Sequence, residues 1–258
     1  MSLLLLAILL SSAPGATVTA SRFSHDDWTN VLFRFVDEHG LVDYQALAQD
    51  RVILDRYLSA VRAASPKSQP ELFPTPADQL AYYLNAYNAL VFDGVLMRGP
   101  EEESVWKGGL ISGYRFFVAM KVIVGGEKTN LKKLEDKMIR RQFQDPRVHA
   151  ALNCASISCP RLPRKAFDPE HVDDELDAAM REFVGNEKNV RVDHASQVVY
   201  LSRIFSWFAE DFLTDEKGRG NERPSLIDYV NRYRSPEARI SEKFKVRFLE
   251  YDKGINSG

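Results

Sequence analysis

The sequence predicts an α+β fold: a single domain in which an apolar central helix packs on a mixed or antiparallel sheet, with several helices around it. Three observations lead there. At 258 residues, with 45% apolar and 11% aromatic side chains, the chain is long enough to bury one large core and has no signature of disorder. Segments of helical periodicity alternate with segments rich in β-branched and aromatic residues, but without the regular βαβ spacing of a doubly wound sheet. No internal repeat points to a solenoid or propeller.

The opening "MSLLLLAILLSSAPGATVTA" has an apolar run from Leu3 to Leu10, too short to span a bilayer, then small residues ending at Val18-Thr19-Ala20. It reads as a secretory signal over 1–20, leaving a mature domain over 21–258. No later segment is apolar for long enough to span a membrane, so the mature chain is expected to be periplasmic or secreted, with no stable membrane span. Lys and Arg number 34 against 36 Asp and Glu, a formal charge of -2, which supplies no broad cationic field for nucleic acid.

From Asp26 to His39, Trp28, Val31, Leu32, Phe35 and Val36 recur at helical spacing, and Gly40 supplies a stop. A second helical pattern runs from Leu47 to Ala63. The proline-rich connector "SPKSQPELFPTP" then reads as a surface loop. Next comes "ADQLAYYLNAYNALVFDGVLMRG", the most apolar helix of the chain, with Leu80, Leu84, Tyr87 and Val91 in one stripe. It is the expected centre of the core. "YRFFVAMKVIVGGEKTN" reads as a strand ending at Gly125-Gly126, and Leu131 to Arg141 as a helix capped by Thr129 or Asn130. A helix over Asp168 to Phe183 has Pro169 at its first position. "NVRVDHASQVVYLS" reads as a hairpin with His194 and Ser196 at its tip, followed by short helices around 205–212 and 225–233 and a last strand in "KFKVRFLEYD".

The chemistry-bearing residues concentrate in "VHAALNCASISCPRL", which holds His149, Asn153, both cysteines of the chain, Cys154 and Cys159, and Ser156 and Ser158 between the sulfurs. Taken in order with "LNAYNAL", "TNLKKLED", "LSRIFSWFAEDF" and "FKVRFLEYD", this block resembles the domain of unknown function 547 family. The resemblance covers most of the chain from about Leu80 onward and implies no activity. The closing "YDKGIN" departs from the family's aromatic-bearing ending, with Lys253 and Gly254 in that place.

A nucleophilic cysteine needs its thiolate, a base or a field of backbone N–H groups, and access to substrate. His149 is the nearest base in sequence to Cys154. A five-residue step, however, separates side chains by about 16 Å along a strand, and on a helix it turns them about 140° apart. His149 and Asn153, four residues apart, share a face on either element, so Asn153 is the expected orienter of the imidazole. Glu135 shares the inward side of its helix with Leu131, Leu134 and Met138 and is a second acid or orienting group. More often such a carboxylate pairs with a neighbouring lysine.

The cysteines also support a Cys154–Cys159 disulfide. An exported chain with two cysteines favours oxidation, and the short ring is worth roughly 2 kcal/mol of loop-closure entropy, so it would mainly shape the loop. The H-x4-C-x4-C spacing matches no common zinc pattern, and the thioredoxin-type C-x-x-C is absent, which disfavours oxidoreductase chemistry of that kind; neither metal nor cofactor is expected. Asn85 and Asn88, too deep in an apolar helix for casual exposure, either line a pocket or tether a neighbouring loop. Phe205, Trp207, Phe208 and Phe212 read as core before ligand contacts.

Two functions follow. The first is a thiol-dependent hydrolase or acyl transferase, with Cys154 as nucleophile, a histidine as base (His149, or His194 if the hairpin tip folds over Cys154), Asn153 and Glu135 in support, and Asn85, Asn88, Ser156 and Ser158 lining the pocket. The second is a noncatalytic binding or scaffold module with a Cys154–Cys159 disulfide. Either would take a small-molecule, peptide or glycan ligand.

Overall fold

The computed structural model describes residues 22–107 and 109–258; the expected signal segment lies outside the described residues. Helix α1 (Asp26–Phe35) buries the expected face of Trp28, Val31, Leu32 and Phe35. It ends at Phe35, short of His39, because Val36 turns to extended backbone and bridges Val42 antiparallel. Gly40 makes the intervening turn at φ 82°, where a Cβ would collide with Arg161 and come within 2.8 Å of the Leu162 amide. That close approach seats the turn against the end of the cysteine block.

The pattern over 47–63 forms two helices, α2 (Tyr44–Gln49) and α3 (Val52–Ala63). Asp43 caps α2 by accepting the Ala46 N–H, and Arg51 at the break pairs with Asp55 and Asp93. After the connector, α4 (Pro76–Arg98) starts on a reciprocal cap between Thr75 and Asp78, with Pro76 at its first position, and stops at Gly99. Every residue from Leu80 to Val95 is buried, so the expected stripe is only part of a helix enclosed on all sides. Its packing neighbours are helical: α2 and α3 on one side, and the 131–143 helix and a helix over 172–185 on others. Trp28 and Tyr44 meet Phe92 edge to face, and Phe73 meets Tyr82 likewise. A short strand over 122–124 adds Val122 and Val124 to the same core cluster.

The segment expected as a long strand is mostly helical. It forms α5 (Leu110–Tyr114) and a wider π-helical turn over Arg115–Ala119, leaving only β1 (Val122–Val124) as strand. Phe116 and Phe117 are both buried, and Phe116 lies against Gly94 of α4, where an added Cβ would sit 3.0 Å from its ring. Burying two consecutive rings on one element requires helical geometry, since a strand sends neighbours to opposite faces. β1 pairs with β2 (Glu127–Thr129) through Gly125-Gly126, at φ 55° and 82°.

Asn130 caps α6 (Leu131–Lys133), which widens into a π-helical stretch over Leu134–Arg140 and closes in α7 (Arg141–Phe143) at left-handed Gln144. A 3-10 turn (Pro146–Ala150) leads into the cysteine block. The helix expected from Asp168 begins later, as α8 (Val172–Gly185). Residues 168–171 form a turn instead, in which the Asp168 side chain accepts the Glu170 N–H and its carbonyl the His171 N–H.

The expected hairpin is β3 (Val190–Asp193) with β4 (Val198–Leu201). After α9 (Arg203–Trp207), α10 (Ala209–Gly218) and α11 (Leu226–Arg232), β5 (Lys245–Phe248) joins β4 in parallel, so this sheet is mixed. One hydrophobic cluster surrounds α4; a second is formed by α8, the mixed sheet and α9 to α11. The architecture is α+β. Among the described residues no helix is long and apolar enough to cross a membrane.

Candidate functional site

The cysteine block and the segment that follows it are tied to the buried central helix by its two asparagines. Asn88 donates to the Ala151 carbonyl at 3.0 Å and accepts the Asn153 N–H at 3.0 Å. Asn85 makes the same reciprocal pair with Phe167, both bonds at 2.9 Å. A buried amide that satisfies a backbone donor and acceptor together imitates a strand neighbour. These two residues are tethers, with their polar atoms spent on backbone.

Asn153 organises the loop from within. Its Oδ1 accepts the Ala155 N–H at 2.8 Å and its Nδ2 donates to the Pro160 carbonyl at 2.8 Å. These bonds hold Ala155 in the left-handed region at φ 61°. Asn153 does not reach His149: the chain leaves helical geometry after the 3-10 turn, so the expected four-residue pairing is lost.

Cys154 and Cys159 are bonded to each other, with Cα atoms 6.3 Å apart. The Cys154 N–H donates back to Cys159 Sγ at 3.0 Å. The Tyr251 hydroxyl lies over the bond, 3.3 Å from Cys154 Sγ and 3.1 Å from Cys159 Sγ. Ser156 is buried, its hydroxyl 3.7 Å from Cys154 Sγ, while the Ser158 hydroxyl accepts the Asp252 N–H at 2.8 Å.

The chain's last residues close over this loop. Ile157 N–H donates to the Gly254 carbonyl at 2.8 Å and Asn256 N–H to the Ala155 carbonyl at 3.3 Å. Asn256, itself buried, also accepts from Tyr44 Oη at 3.1 Å and donates to Asn153 Oδ1 at 3.3 Å. Sequence reasoning missed Tyr251 and Asn256. The first had only its place in "FLEYD" to mark it, and the second has no local signal.

His149 faces another way. It is buried, with Nε2 2.7 Å from Asp211 Oδ2 and its ring stacked on Phe208, centroids 4.0 Å apart. Asp211 in turn takes two bonds from Arg140, at 2.8 and 3.1 Å. Arg140 also reaches Asp136 at 2.6 Å and lies over the Phe208 ring at 4.5 Å. Burial holds the imidazole below its ordinary value despite Asp211, so it is neutral at neutral pH and gives its one N–H to the carboxylate. The positive charge beside Asp211 is Arg140. Burial pushes the Asp211 carboxyl up, but the hydrogen bonds from His149 and Arg140 outweigh it and hold the group at about 2.

This depression has a consequence for acid stability. The Asp211 carboxyl titrates near 3.8 when unfolded and about 2 when folded. Its contribution, on the order of 2 kcal/mol, is complete above the first value and lost as pH falls through the second. Asp211→Asn should flatten the acid limb of the urea-unfolding free energy over that window; an unchanged limb would remove Asp211 from the acid response.

Glu135 stands beside this network with a different character. It is half-buried and makes no hydrogen bond among the described residues, although Lys132 nearby bonds Asp136 at 2.8 Å. Burial pushes its carboxyl up to about 7, helped by Asp136 and Asp211 and opposed by Lys132 and Arg140. Its field also reaches Tyr251 over the disulfide. The ion pair expected with a neighbouring lysine does not form, and the role of orienting His149 belongs to Asp211. A cleft of about 600 Å³ opens next to the network, lined by residues of 132–145 and of α10, with Arg140 and Asp211 in its wall.

His194 sits exposed at the hairpin tip against Phe244, 5.8 Å between ring centres. Phe205 and Phe212 are core, but Trp207 is 52% exposed and rests on Tyr251, ring centroids 4.7 Å apart. Among the described residues no group of His, Cys, Asp and Glu is arranged to hold a metal ion.

Comparison with curated proteins and with solved structures finds no match. The matched family segment, residues 73–184, contains Asn85, Asn88, Glu135, His149, Asn153 and both cysteines, whereas Asp211, Tyr251 and Asn256, which contact His149, the cysteines and Asn153, lie beyond it. That segment matches the family described as protein of unknown function, DUF547, and the chain carries a domain of that functionally uncharacterised family.

Proposed function

We propose that this protein is an exported, noncatalytic binding module, in which the disulfide-closed loop over 154–159 and the surface beside it recognise a peptide or glycan fragment. The observation that carries the reading is the bonded pair itself, with the Tyr251 hydroxyl over both sulfurs. In that state Cys154 has no thiolate to offer. The remaining members of a thiol-hydrolase site are committed elsewhere: His149 to Asp211, Asn153 to the loop backbone, and Asn85 and Asn88 to tethering. Recognition has better support. Exposed Trp207 on Tyr251 offers an apolar face with a polar edge, the kind of surface on which sugar rings and peptide side chains stack. A bonded cysteine pair also fits an oxidising compartment, which agrees with export after cleavage of 1–20.

The test is a mass measurement. Native protein treated with iodoacetamide without reductant should gain no label, and after reduction and denaturation it should gain two, one for each cysteine. Labelling of the native, unreduced protein would overturn the module reading and return Cys154 to the list of candidate nucleophiles.

A further inference from the structure

The hydrogen bonds around the disulfide are unequal, and the inequality bears on its reactivity. Cys159 Sγ receives the Cys154 N–H at 3.0 Å and the Tyr251 hydroxyl at 3.1 Å. Cys154 Sγ has the shared Tyr251 hydroxyl at 3.3 Å and the Ser156 hydroxyl at 3.7 Å, beyond strong hydrogen-bonding distance. Bonded sulfurs carry no proton, so the phenol is the donor to both. Each cysteine residue is half-buried rather than enclosed in the core.

We propose that Cys154–Cys159 is an exchangeable redox pair that accepts electrons from a dithiol, with Cys154 the sulfur attacked and Cys159 the sulfur that leaves. The proposal rests on the bonded pair assumed above and adds an activity to it. In the first step a thiolate of the dithiol attacks Cys154 Sγ. A bond forms between them, the Cys154–Cys159 bond breaks, and its electron pair departs on Cys159 Sγ. Two donors already aimed at that atom receive the charge, and hydrogen bonds to an ionised acceptor are roughly twice as strong as neutral ones.

In the second step the dithiol's other thiolate attacks its own sulfur in the mixed disulfide and expels Cys154 as thiolate. The dithiol is oxidised by two electrons, the protein pair is reduced, and the two protons of the dithiol end on Cys154 and Cys159. Attack in the opposite sense would put the charge on Cys154 Sγ, where the donors are longer. A better-stabilised leaving thiolate departs faster, so the first direction dominates.

The experiment follows native full-length protein in excess dithiothreitol near neutral pH, quenched with iodoacetamide and weighed over time. Reduction should proceed without unfolding, and Tyr251→Phe, which keeps the covering ring and removes the O–H donor, should slow it about threefold. Were Tyr251 only a shield, the phenylalanine would reduce at the same rate. Single-cysteine variants provide a second reading: Cys159 in Cys154→Ser should alkylate several-fold faster than Cys154 in Cys159→Ser. A pair that opens only on denaturation overturns the proposal. So does an unchanged rate in Tyr251→Phe, or equal or reversed labelling of the single-cysteine variants. Thiols in the untreated protein would defeat the module reading as well, whereas a bonded but inert pair defeats this inference alone.

Discussion

Glu135→Gln will stabilise the protein at neutral pH, by about 3 kcal/mol, without adding a contact. The sign follows from the direction of the shift. The carboxyl titrates near 4.5 in the unfolded chain and about 7 in the folded one, because burial disfavours its charge. Between those values the folded protein holds a proton that the unfolded chain has released, so stability falls as pH rises from 4.5 and levels off above about 7. Glutamine keeps the shape, removes the titration, and should abolish this slope in urea-unfolding free energies measured across the window. Parallel curves for the two proteins would mean that Glu135 is solvated in solution and carries no penalty. An unpartnered carboxyl beside Arg140, Asp211 and Tyr251 can also change its charge with little reorganisation. A cation brought beside it would lower its titration point toward the unfolded value and so relieve the penalty it places on the fold.

Asn153→Ala should lose about 3 kcal/mol, the largest loss expected from any single polar side chain of the loop. The alanine would leave the Pro160 carbonyl and the Ala155 N–H without their partners at 2.8 Å, and would take one of the bonds from buried Asn256. Stranded backbone groups in a buried site cost more than the hydrogen bonds themselves contribute. Ala155, held at φ 61° by that contact, would also lose what fixes its left-handed backbone. Ser158→Ala is the control: its bond to the Asp252 N–H lies in an exposed setting, where water replaces it, and the loss should stay below about 1 kcal/mol. Equal effects of the two substitutions on the urea midpoint, with the slope unchanged, would show that the loop is not organised from Asn153.

Much of the fold was legible wherever the signals were local. The length and apolarity of α4, its cap from Thr75 and Asp78, the cap at Asn130 and the glycine pair at 125–126 all act within a few residues of themselves. The failures occurred where packing outweighed local preference. Aromatic and β-branched residues over 114–119 favour a strand, but the segment buries Phe116 against α4 and Phe117 against Trp106 in helical geometry. A continuous pattern over 47–63 hid a break at which Arg51 turns to pair with Asp93 of α4. At the site, the residue types were visible while their pairings were not. His149 was matched in the sequence with Asn153 on spacing, yet its partner is Asp211, 62 positions away.

The sequence by itself determined the α+β class, the burial of the central helix, the block in which the reactive side chains gather and the alternative that its two sulfurs are joined. Each of these depends on composition, periodicity or spacing, which neighbouring residues set. The tertiary structure alone decided what those side chains do. It brought Tyr251 onto the disulfide, 97 positions from Cys154, turned Asn85 and Asn88 into tethers, and left Glu135 without a hydrogen-bonded partner among the described residues. Contacts of that range form only after the hydrophobic clusters have closed, and the choice among the available partners is made by which backbone polar groups would otherwise be buried unpaired.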